Sequence, residues 1–299
     1  MLKTLLTAEE CTVYCNIILR KRSENKGGAG QSPAVGWKNR VENCPLSPAA
    51  RGKERCMTRT NRPFSRDGIK LAAMLTMACN HFAIALLPAG TLAYEVLTDI
   101  GYFTAVTMCF FLVEGFRYTR SRRDYALRLL LFGVVTQPVY GLALGIGQLN
   151  MMFTLALCFL MLWARERIRN PALRGAVVFV LAVATVFCDW PLLAACYTLL
   201  FAWAGTTPRR QAVAFGSAAA LFFWFEWTNY TYLGMDSGPA ALHGGAACLG
   251  ILVSGAVILL GYSGRRSPFA LAHPRISKYF FYLFYPAHLG VLALCRALL

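Results

Sequence analysis

The feature that most constrains this chain is a succession of apolar runs, each bounded by Arg, Pro, Gly or Asp. They fall at residues 68–88, 96–116, 125–146, 150–164, 173–188, 191–204, 211–227, 244–262 and 278–298. Most reach or approach the roughly 20 residues that a helix needs to cross hydrocarbon. Shorter ones such as 191–204 require tilt or local thinning of the bilayer. The sequence therefore reads as an all-α, polytopic transmembrane helical bundle with about nine spanning helices. Composition agrees: apolar residues make up 57% of the chain, charged residues 15%, and the mean hydropathy is +0.48, against about 25% charge in an ordinary soluble domain. The break at Asp189-Trp190-Pro191 separates two of the runs. Proline removes a helical donor, and an aspartate at mid-bilayer is costly, so that turn is expected at a water interface.

The formal charge of +16 in a soluble protein would suggest nucleic acid. Here its placement points to topology. With a cytoplasmic N-terminus and nine crossings, Lys70, the group Arg117, Arg120, Arg122, Arg123 and Arg128, the group Arg165, Arg167, Arg169 and Arg174, then Arg209 and Arg210, then Arg265, Arg266, Arg275 and Lys278 all fall inside. Glu95, Asp99, Asp189, Glu226 and Asp236 fall at or near the outer loops, with Trp224, Trp227, Tyr230 and Tyr232 as an interfacial belt. This is the positive-inside pattern, and Arg296 near the outer C-terminus is its one exception.

Residues 1–66 differ in kind, with thirteen Lys/Arg against five Asp/Glu and many Gly, Pro, Ser and Asn. They read as a basic, disordered cytosolic extension, ahead of a membrane domain at 67–299; the alternative is that translation starts near Met57. Cys11, Cys15, Cys44 and Cys56 lie in the extension without the tight pairing or nearby His that a zinc site wants, so no metal is expected.

Ionisable groups inside the membrane separate functional classes, because hydrocarbon penalises them. They are His81, Glu114 and His288, with Asn80 and Gln137 as uncharged companions. His81 follows Lys70 by eleven residues, about 16 Å along a helix and nearly on the same face. His288 follows Lys278 by ten residues on a helix running the same way. Two imidazoles at matching depth suit one cavity; the plainer alternative is that each bridges helices by a hydrogen bond. The Arg-rich loop from Arg117 to Arg128 is either topogenic charge in contact with anionic lipid or a polyphosphate clamp, with Glu114 orienting one of its guanidinium groups. No Gly-rich nucleotide-hydrolysing loop is present in the sequence.

The ordered set Asp67-Gly68-Ile69-Lys70, Met77 to His81, Phe111-Leu112-Val113-Glu114-Gly115-Phe116-Arg117, Thr119-Arg120-Ser121-Arg122-Arg123 with Tyr125 and Arg128, Thr136-Gln137-Pro138, Leu149-Asn150 to Leu155, and Lys278 to Leu289 resembles the TraX family. That family is named for a membrane enzyme that N-acetylates conjugative pilin, and it is similar to the type-3 membrane acyltransferases. Lys70 and His81 match the basic-residue-to-His spacing of the larger group, and Arg120 and Arg123 resemble its loop arginines. Asn80 departs from the family, which usually carries Asp before the His. The resemblance implies acetyl or acyl transfer from acetyl-coenzyme A, with no permanently bound cofactor. It implies His81, Lys70 and His288 as catalytic residues, with His81 as base or transient acyl carrier. Arg117, Arg120, Arg122, Arg123, Arg128 and Glu114 would form the donor-phosphate site, and the acceptor would be a pilin-like protein or another cell-envelope amine or hydroxyl. It implies a bacterial inner membrane location with the C-terminus outside. A proton-coupled transporter and a catalytically silent accessory of a conjugation or secretion apparatus are the competing classes.

Overall fold

The computed structural model describes residues 62–299. The reading of the basic N-terminal extension and its four cysteines therefore lies outside the described residues up to residue 61. The helices are α1 (Arg66–Leu86), α2 (Leu92–Tyr118), α3 (Arg122–Leu144), α4 (Met151–Arg167), α5 (Pro171–Ala184), α6 (Leu193–Ala204), α7 (Pro208–Tyr232), α8 (Ser237–Ala256), the short α9 (Pro268–Ala272) and α10 (Pro274–Leu298). A 3-10 turn extends α5 through Phe187, and a π turn extends α8 through Gly261. Each apolar run falls on its own helix. Five of the helices (α1, α2, α3, α8 with its π turn, and α10) are long and apolar enough to cross a membrane; α5 and α6 are shorter apolar helices. The described residues contain no strand, only two isolated bridges. The chain is a multi-pass helical membrane bundle.

Local chemistry places the helix starts. Ser65, Thr91, Ser121, Asn150 and Asn170 cap α1 to α5, their side-chain oxygens accepting from amides of the first turn, which satisfies donors that have no helical acceptor. Proline at the start of α5, α7 and α10 lacks the amide that would go unpaired there. The expected break at Asp189-Trp190-Pro191 is present. Trp190 and Leu192 both take positive φ there, 60° and 56°, a conformation that bulky side chains rarely adopt. The turn is pinned by the Leu149 amide donating to the Phe187 carbonyl at 3.0 Å and the Asp189 amide to the Leu149 carbonyl at 2.7 Å.

Among the five long apolar helices α2 is the most buried, and small residues let its neighbours approach. A methyl group added to Gly101 would stand 2.2 Å from Asn80 Cβ on α1, and one added to Gly250 on α8 would stand 2.7 Å from the Asp99 carbonyl oxygen. Hydroxyls tie the same crossings: Thr104 donates to the Ala73 carbonyl at 2.6 Å, and Thr107 and Ser254 lie 2.7 Å apart. Close backbone approach with bridging hydroxyls is the usual way membrane helices associate. Arg296, the charge exception, donates to the Ala143 carbonyl at 3.0 Å and lies over Gly145 at the end of α3. There the guanidinium meets the partial negative charge of a helix C-terminus.

Gly250→Leu should lower thermal stability in detergent strongly, because the added side chain meets backbone and cannot be relieved by a rotamer change; overpacking typically costs about 1–3 kcal/mol. Gly216, with nothing within 4 Å of an added Cβ, provides the control: Gly216→Leu should leave the melting temperature near that of the wild type.

Candidate functional site

Two of the predicted residues meet. His81 Nδ1 and His288 Nε2 are 2.8 Å apart, the rings lying within 3° of parallel with centroids 5.1 Å apart. His288 Nδ1 lies 2.8 Å from the Phe284 carbonyl one turn back on α10. A carbonyl only accepts, so His288 Nδ1 carries the proton. The neutral ring then accepts at Nε2, and His81 donates from Nδ1. The chain of bonds leaves His81 Nε2 as the bare, basic nitrogen. His81 is 6% exposed and lies in the wall of a cavity of about 300 Å³. Tyr140 and Tyr285 pack around it, ring centroids 6.5 and 6.1 Å away.

This first cavity is aromatic and acidic. Tyr94, Tyr102, Trp190 and Phe222 line it, with Asp189 and Glu226 as its carboxylates. Glu226 is buried at 6% exposure. Asp189 stands in the turn between α5 and α6, where burial raises its carboxyl to about 6 against the lowering effect of the Trp190 amide. Glu95, Tyr230 and His243 cluster nearby, with Tyr230 donating to Glu95 at 3.4 Å.

A second cavity of about 470 Å³ lies further toward the basic ends of the helices, lined by Arg66, Lys70, Arg128, Arg266 and Lys278 against a single carboxylate, Asp67. Arg66 is paired with Glu114 at 3.3 Å, and Arg266 stands 3.9 Å from Asp67. Among the described residues, Lys70, Arg128 and Lys278 have no carboxylate within 4 Å. Lys70 instead lies over the rings of Phe111 and Phe281, 5.4 and 5.5 Å from their centroids. A concave, cation-rich site with so little neutralising charge is built for an anion.

The two cavities run end to end along the same helices. On α1 Lys70 lines the basic cavity and Met77 and His81 the other; on α2 the corresponding residues are Met108 and Ala105, on α3 Arg128 and Tyr140, on α4 Met152 and Met151, and on α10 Tyr282 and Tyr285. Where they approach, the wall is rich in Met77, Met108, Met151 and Met152.

Lys70 stands apart from the histidine pair and lines the basic cavity. Of the arginine cluster only Arg128 lines that cavity. Arg122 pairs with Glu166 and stacks on Phe116 at 4.4 Å, Arg117 reaches the Phe201 carbonyl at 3.4 Å, and Arg120 and Arg123 are exposed. Glu114 orients Arg66 rather than a loop guanidinium, and it accepts from Tyr262 at 2.8 and 2.9 Å. Asn80 is not a partner of His81: its amide donates to the Thr98 carbonyl at 3.1 Å, a bond an ionised Asp cannot make. Gln137 anchors the start of α4, accepting from the Asn150 amide at 2.9 Å. Sequence reasoning missed Arg66, Arg266 and Lys278 as cavity cations, and Asp189, Glu226, Tyr140 and Tyr285 as walls of the other cavity. The four-residue spacing of Arg66 and Lys70, and the three-residue spacing of Tyr285 and His288, place each pair on one face and were the available signals.

The family model described as "TraX protein" matches residues 65–296. The chain is similar to a "Probable fimbrial assembly protein FimC, serogroup H1" of Dichelobacter nodosus, 31% identical over 251 residues that cover 80% of this chain and 98% of the relative. No solved structure gives a significant match. A match across nearly the whole described region, together with a relative aligned over 98% of its own length, places this chain in the TraX family.

Proposed function

We propose that this chain is an integral membrane acyltransferase. It takes an acyl group, acetyl in the simplest case, from acyl-coenzyme A in the basic cavity and passes it to an amine or hydroxyl in the aromatic, acidic one. The observation that carries this reading is a base with a fixed tautomer, His81, in the wall of one cavity whose helices also line a second cavity of opposite charge. Coenzyme A is a co-substrate consumed in the reaction. Its phosphates suit Lys70, Arg128 and Lys278, the cations without a carboxylate partner, with Arg66 and Arg266 adding field. From Lys70 to His81 is eleven residues, about 16 Å of helix, the scale of an extended pantetheine arm. The methionines in between are flexible side chains suited to parting around a thin ligand.

His81 Nε2 takes the proton of the attacking nitrogen or oxygen. The positive charge that results spreads through the Nδ1–H bond to His288 and on to the Phe284 carbonyl. No carboxylate orients the base; a backbone carbonyl does that through a second imidazole. Glu226 and Asp189 in the acceptor cavity favour an amine over a hydroxyl, since a carboxylate there attracts an ammonium before it is deprotonated. With the basic ends of the helices in the cytoplasm, donor and acceptor enter from opposite sides of the bacterial inner membrane, and the C-terminus lies outside. Fimbrial assembly, the role in the relative's name, makes a pilin-like protein the first acceptor to test.

The deciding experiment supplies labelled acetyl-coenzyme A to purified protein in liposomes, with glycine amide or a glycoside as acceptor probe. Transfer to one probe supports the enzyme. Proton-coupled flux without transfer would instead support the transporter reading, which a hydrogen-bonded histidine pair inside the membrane also fits. His81→Gln should insert and bind donor yet lose roughly a hundredfold to ten-thousandfold in rate, since an amide keeps the helix-bridging bond but is no base. A folded His81→Gln protein with full activity would falsify the base assignment. Lys70→Ala, Arg128→Ala and Lys278→Ala should each raise the donor KM, on the order of tenfold to a hundredfold for charge-assisted contacts worth about 1.5–3 kcal/mol. Arg120→Ala and Arg123→Ala should leave it unchanged.

A further inference from the structure

An acyl-transfer site needs more than a base. As the nucleophile attacks, the carbonyl π pair moves onto oxygen, and donors aimed at that oxygen usually supply the largest share of the rate. The cavity that holds His81 has such a donor with nothing else to do. Tyr285 is 4% exposed and lines the cavity, and among the described residues its buried hydroxyl proton has no acceptor. A buried hydroxyl proton left without an acceptor is costly, so a chain that keeps one calls for an explanation. The Tyr285 ring stands beside both imidazoles, its centroid 6.1 Å from His81 and 5.7 Å from His288. Facing the same hydroxyl is the backbone amide of Met151, the first residue of α4. That amide has no helical acceptor, and it carries the partial positive charge of a helix N-terminus. Met151 lines the cavity as well.

We propose that the Tyr285 hydroxyl, assisted by the Met151 amide, forms the oxyanion hole of this site. The inference rests on the acyltransferase reading above. In the step it describes, the acceptor nitrogen or oxygen forms a bond to the thioester carbon, and His81 Nε2 takes its proton. The carbonyl electron pair settles on oxygen, which accepts from Tyr285 Oη–H, while the Met151 N–H, directed at Oη, makes that hydroxyl a stronger donor. The C–S bond then breaks as the carbonyl re-forms, and the thiolate regains the proton from His81, giving the acylated acceptor and free thiol.

Tyr285→Phe keeps the ring and removes only the hydroxyl. With labelled acetyl-coenzyme A and glycine amide, kcat should fall on the order of a hundredfold to a thousandfold, while the donor KM stays within about twofold. The melting temperature should hold or rise, because an unsatisfied group has gone. A structural hydroxyl would show the reverse, lost stability with kcat intact. A second measurement does not depend on that variant: in His81→Gln protein, which holds donor without turnover, the infrared carbonyl stretch of 13C-labelled acetyl-coenzyme A should move to lower frequency on binding. Adding Tyr285→Phe should restore it. A bound carbonyl that absorbs where free acetyl-coenzyme A does, or an active wild type indifferent to Tyr285→Phe, overturns the oxyanion role alone. Wild-type protein that transfers no acetyl group to either probe overturns the acyltransferase reading and this inference with it.

Discussion

A polar side chain surrounded by hydrocarbon has no water to turn to, so it must find its partner within the protein. This constraint organises the bundle. Thr104 with Ala73 and Asn80 with Thr98 fix α1 against α2. Thr107 with Ser254 fixes α2 against α8, Glu114 on α2 holds Arg66 at the start of α1 and Tyr262 just after α8, and Arg296 with Ala143 fixes α10 against α3. The histidine pair joins α1 to α10 in the same manner. Its distinction is that a hydrogen-bonded imidazole keeps a second nitrogen, so the contact that locks the helices also leaves a base facing a cavity.

The groups that escape the rule are informative for the same reason. Glu226 and Tyr285 stand at the wall of one cavity and Lys70, Arg128 and Lys278 at the wall of the other, and among the described residues none of these three cations has a carboxylate within 4 Å. Their signs are segregated: cations stand around one cavity, and carboxylates with aromatic rings stand around the other. A protein that needed only stability would fill these positions with apolar residues. The strained turn at Trp190 and Leu192 belongs to the same group, since Trp190 holds its positive φ at the acidic cavity's wall, and backbone strain of this kind persists where surrounding structure requires it.

How much of this was legible in the sequence follows from the range of each interaction. The apolar runs, the caps and the break at Pro191 are local, and each run lies on the helix it announces. The depths of His81 and His288 were legible because helix rise converts residue count to distance. Lys70 was well placed as a cation on the face of His81, yet eleven residues of helix put it in a different cavity. What single-helix geometry cannot give is the identity of a neighbour. Glu114 was assigned to a loop arginine nearby in sequence, while its partners, Arg66 and Tyr262, come from the start of α1 and the end of α8. The arginines of the loop are dispersed for a related reason. Charge density along a loop says nothing of direction, and Arg117, Arg122 and Arg128 point to three different surroundings.

The departure at Asn80 shows why placement outranks residue identity. An Asp next to a histidine in sequence suggests an orienting carboxylate, and its loss suggests a broken site. Residues adjacent on a helix point about 100° apart, and here that angle sends residue 80 toward α2 while His81 faces α10. The amide at position 80 is suited to its actual task, donating to a carbonyl across a crossing so close that Gly101 admits no Cβ. Orientation of the base comes instead from His288 and the Phe284 carbonyl, a support that stays neutral. An uncharged relay avoids the cost of burying a carboxylate at depth. It also leaves the basicity of His81 to be set by the cavity it faces and by what occupies that cavity.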